Sequence, residues 1–70
     1  MDSDVTFSVL HGYTLAIYDL VSAQIKIDTI RILAREFEKK AENSLPLMPL
    51  AQQKIINNSI QSFIKLGYLP

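Results

Sequence analysis

Residues 24–33 read QIKIDTIRIL, and whether this stretch continues a helix or breaks one decides the fold. Ile25, Ile27, Ile30 and Ile32 are β-branched, and the first pair alternates with polar neighbours as a strand would. Asp28 is also placed to cap a fresh helix, with Ile27 as its hydrophobic staple. Two observations favour continuity. The stretch has no glycine or proline to mark a turn, and a lone strand would find no second strand to pair with.

Working outward, an apolar line passes through the stretch in register. Val9, Tyr13, Ala16, Leu20, Ala23, Ile27, Ile30, Ala34, Phe37 and Ala41 step by four and three residues throughout. That is the a/d seam of a heptad repeat, carried along one side of a helix. No proline lies between Val9 and Asn43, and the only glycine there is Gly12. The spacing predicts one helix over residues 5–43, about 58 Å long. A kink near residues 24–28 is the alternative. Such a seam is longer than the rest of the chain can cover, so it predicts an oligomer.

The helix must stop before Pro46, because proline disfavours helical geometry in the residue ahead of it. The segment SLPLMPL then forms a short apolar connection expected to pack over the end of the bundle. A return helix is expected over residues 50–66, opening near Pro49. Its apolar arc holds Ile55, Ile56, Ser59, Ile60, Phe63, Ile64 and Leu66, with Lys54, Asn57, Asn58, Gln61 and Lys65 on the wet side. Gly67 reads as the left-handed residue that ends this helix, with Tyr68 folding back on the last turn. The fold class expected is all-α: a helical hairpin, one small domain over residues 1–70, assembled into a dimeric bundle.

Composition agrees with an assembly. A 70-residue chain buries a modest share of its surface and usually needs a cross-link, a metal or a second subunit. There is no cysteine and one histidine, which rules out disulfides and leaves no ligand set for structural zinc. A homodimer is what remains. Seven Lys+Arg balance seven Asp+Glu, so the net charge of zero argues against a general polyanion binder. The acidic start lacks the basic region of a secretory signal, and His11 and Asp19 interrupt the apolar stretch from Val5 well before a membrane span. A cytoplasmic location is expected.

Catalytic signatures are missing. His11, the only histidine, falls on the side of the first helix opposite the seam. Glu36, Glu38 and Glu42 lie among lysines and arginines with no apolar pocket to raise a pKa. Neither a phosphate-cradling glycine loop nor metal-ligand spacing occurs. No enzyme activity, cofactor or metal is expected.

The end of the chain, IINNSIQSFIKLGYL, resembles the tail of a winged-helix recognition helix, whose helix closes on a glycine before the wing. That resemblance implies a DNA-binding regulator. Asn57, Asn58 and Gln61 would read bases, and Lys54 and Lys65 would touch phosphates. The residues themselves read better as the solvated face of an amphipathic helix, and two lysines supply little of the phosphate contact that dominates affinity. The leading expectation is a non-catalytic protein–protein interaction module: an adaptor, regulator or small chaperone. Tyr18, Ile25 and Ile32 lie opposite the seam at i, i+7 and i+14, and form the candidate face for a second protein.

Overall fold

The computed structural model describes residues 3–70, which form three helices: α1 (Ser3–Ser22), α2 (Ile27–Ser44) and α3 (Leu50–Lys65). The all-α expectation holds, but the single helix over residues 5–43 does not form. Helix α1 stops inside the deciding stretch. The Gln24 N–H donates to the Val21 carbonyl at 3.0 Å and the Ile25 N–H to the Leu20 carbonyl at 3.1 Å. This is the paired closure of a Schellman motif, and Gln24 occupies its left-handed position with φ 56°.

Energetics explain a break that no turn residue announces. A left-handed non-glycine residue costs about 1–2 kcal/mol. Folding α2 back on α1 brings Leu10 and Ile17 into one core with Ile30, Ala34, Phe37 and Ala41. Each large apolar side chain so buried contributes about 1.5–3 kcal/mol, and several outweigh one strained residue. An unbroken helix would leave those faces in water unless a partner covered them.

Helix α2 opens at Ile27 with Lys26 as its N-cap and no side-chain cap bond. Asp28 therefore sits within the first turn, where it suits the positive end of the helix dipole, and does not cap. Asp4 lies in the first turn of α1, where it suits the same end of the dipole. After α2 the chain makes one 3-10 turn, Leu45–Leu47, containing Pro46. Met48 is buried and Leu45 packs on the core, while Leu47 and Leu50 stay 80% and 67% exposed. Only part of the apolar connection covers the bundle.

Helix α3 takes nearly the expected bounds, with Pro49 at its N-cap. Gly67, at φ 86°, ends it in a second Schellman motif: its N–H donates to the Ile64 carbonyl and the Tyr68 N–H to the Phe63 carbonyl. The segment beyond turns inward and buries Leu69.

Contacts between ends fix the topology. Tyr13 faces Phe37 at 6.4 Å between ring centroids, and Val5 and Val9 at the start of α1 lie beside Lys40 and Ser44 at the end of α2, so α2 runs antiparallel to α1. The Gln52 side-chain amide donates to Asp4 at 3.0 Å, and Tyr18 meets Phe63 at 5.2 Å, so α3 runs alongside α1 in the same direction. The result is an up-down-up three-helix bundle of 34 × 19 × 16 Å. Phe37 and Phe63 meet edge-to-face at 5.7 Å in its centre, a geometry aromatic pairs favour.

Candidate interaction surface

The break divides the seam. Ile30, Ala34, Phe37 and Ala41 are all buried, and they form the core stripe of α2. In α1 the buried stripe is Leu10, Thr14 and Ile17, one residue later than Val9, Tyr13 and Ala16. One residue is about 100° around a helix. Tyr13 and Leu20 still pack against the core from the side, but Val9, Ala16, Ala23 and Ile27 are exposed. The continuous ten-residue stripe therefore does not exist as one surface. Its later half belongs to this chain's own core; of its earlier half, Val9 and Ala16 are left on the outside of α1, while Tyr13 and Leu20 flank the core.

That outer half has a definite composition. Val5 and Val9 are about half exposed, at 53% and 50%, and exposed Gly12 and Ala16 continue the stripe; exposed Asp19, seven residues after Gly12, puts a carboxylate at its far end, and Ala23 lies in the connection beyond α1. A Cβ built on Gly12 would meet nothing within 4 Å, so its smallness serves no packing inside the chain. Val5 and Val9 also line a shallow cleft of about 210 Å³ between the start of α1 and the end of α2, with Thr6, Leu10, Lys40 and Ser44. The Lys40 ammonium lies 6.0 Å from the Tyr13 ring centroid, which holds a cation at the rim of this apolar stripe.

The other faces named from sequence fall elsewhere. Tyr18, Ile25 and Ile32 are all exposed, but the helix break separates them. Tyr18 leans on Phe63 of α3, Ile25 lies in the connection, and Ile32 stands on α2 beside Asp28, Arg31 and Arg35. The i, i+7, i+14 alignment rested on a continuous helix and is lost with it. Lys54, Asn57, Asn58, Gln61 and Lys65 are exposed along one side of α3. Such exposure suits a solvated face as well as a reader of bases.

His11 is exposed and stacks on Phe7 at 5.8 Å between ring centroids. Among the described residues no three His, Cys, Asp or Glu side chains are grouped to hold a metal ion, and no helix is long and apolar enough to cross a membrane. The open Gly12 was the one signal in the sequence for the α1 surface, because a glycine within a helix of otherwise good formers needs a reason. No protein-family model matches the chain, and no curated protein or solved structure matches it.

Proposed function

We propose that this chain is a non-catalytic helical interaction module that pairs with a second copy of itself through the outer face of α1. In that role it would serve as an adaptor, regulator or small chaperone for another protein. The observation that carries the reading is the run of Val5, Val9, Gly12 and Ala16 on the outside of α1, exposed beside a core that the same chain already closes. Small residues let two helix backbones approach closely, and the two valines supply apolar area to bury. Gly12 costs about 1 kcal/mol against alanine in a helix, a cost that a close neighbour would offset.

Sedimentation equilibrium at micromolar concentration tests the pairing. The expected result is twice the 7.9 kDa chain mass. A folded species at the single-chain mass over the whole concentration range would overturn it.

A further inference from the structure

A second feature lies at the opposite end of the bundle from the open α1 cleft. Arg31 and Arg35 stand one turn apart on α2 and together line a cavity of about 340 Å³, with Gly67, Tyr68, Leu69 and Pro70 forming its other wall. Like charges at i, i+4 repel by a few tenths of a kcal/mol, and neither guanidinium forms an ion pair among the described residues. The Arg31 Nε donates to the Gly67 carbonyl at 3.2 Å, which fixes the plane of that guanidinium while its two Nη groups stay unengaged. Arg35 makes no hydrogen bond at all among the described residues. Asp28 lines an adjoining hollow with Arg31, Ile32 and Arg35. Two guanidinium groups and no Asp or Glu side chain line the cleft itself.

We infer that this cleft binds a small organic oxyanion, a carboxylate or a phosphate ester. Its charged head sits between Arg31 and Arg35, and its apolar body lies against Tyr68 and Pro70. Guanidinium forks match the geometry of both oxyanions, presenting parallel N–H donors to paired oxygens. The cavity volume falls at the small end of ligand pockets, about 300–1,000 Å³. Gly67 is indispensable to the shape, since its left-handed backbone turns Tyr68 toward the core and aims its own carbonyl at Arg31. The site is independent of the α1 surface and survives if the chain is a monomer.

Titration of the whole chain at low ionic strength, followed by amide and Arg Nε chemical shifts, tests the site with three probes: phenyl phosphate, benzoate and inorganic phosphate. The expected result is saturable movement of Gly67, Tyr68 and Arg35 with phenyl phosphate or benzoate; the tighter of the two identifies the preferred oxyanion. Arg35 is exposed, so Arg35→Gln should keep the fold while weakening binding about tenfold or more, the loss of a charge-assisted pair. Arg35→Lys should fall between, keeping the charge without the fork. Lys54→Gln on α3 should bind as the parent chain does. Shifts that never saturate, or equal binding by Arg35→Gln, would overturn the site. Equal affinity for inorganic phosphate and phenyl phosphate would overturn the role given to Tyr68 and Pro70.

Discussion

Two residues end helices in the left-handed region, and they are chemically unlike. Gly67 reaches φ 86° with no side chain to clash, whereas Gln24 holds φ 56° against its own Cβ. Both sit in the same hydrogen-bonded closure, so swapping the residue types isolates the backbone term. Gln24→Gly should stabilise the fold by up to about 1 kcal/mol, which for a domain this small raises Tm by about 4–8 °C. Gly67→Ala should cost a similar amount, even though a Cβ there meets nothing within 4 Å. Thermal unfolding followed by circular dichroism reads both. A Gln24→Gly variant that melts lower than the parent would mean that Gln24 is not left-handed in solution.

Among the elements, α1 shows how far a sequence can be read and where it misleads. Two parallel apolar lines run down it: Val9, Tyr13, Ala16, Leu20 and Leu10, Thr14, Ile17, Val21. The first is unbroken and extends into α2 in register; the second is interrupted by a threonine. Thr14 is nevertheless buried, because its hydroxyl donates to the Leu10 carbonyl at 3.3 Å within the helix and needs no outside partner. That local bond hides a core position behind a polar residue type. The register across Ala23–Ile27 was also misleading, since a four-residue connection preserves a heptad count as faithfully as a helix does. Helix α3 was legible in its bounds and its two core positions, with proline at its start, glycine at its end and Ile56 and Phe63 buried, whereas Ile55, Ile64 and Leu66 of the expected apolar arc are exposed. Leu69 was missed, because nothing in a short tail past the glycine announces that it turns inward. The α1 assignment has a direct energetic consequence. Ile17→Ala should cost about 2–5 kcal/mol, as a fully buried isoleucine does, while half-exposed Val9→Ala should cost under about 1 kcal/mol in the single chain. Urea titrations at concentrations low enough to keep the chain monomeric give both values. Comparable losses at the two positions would return the seam to the core.

At the scale of the whole molecule, a bundle 34 Å long replaces the 58 Å rod that the heptad count suggested, and the chain closes a core of its own. Assembly is then a matter of what remains outside, and Val5, Val9, Gly12 and Ala16 are the uncharged part of the outer face of α1. Ala16 and Ile17 are adjacent in sequence, yet one faces outward and the other is fully buried. Placing a charge at each therefore separates folding from pairing. Circular dichroism and sedimentation equilibrium on Ala16→Glu and Ile17→Asp make the comparison. Ile17→Asp buries an unpaired carboxylate, several kcal/mol against a small total stability, and should lose helicity. Ala16→Glu should keep the parent helicity and melt cooperatively, but sediment as a single chain of 7.9 kDa where the parent sediments as a pair. An Ala16→Glu protein that remains paired, or one that unfolds as Ile17→Asp does, would contradict the assignment of α1's outer face as the surface on which this molecule assembles.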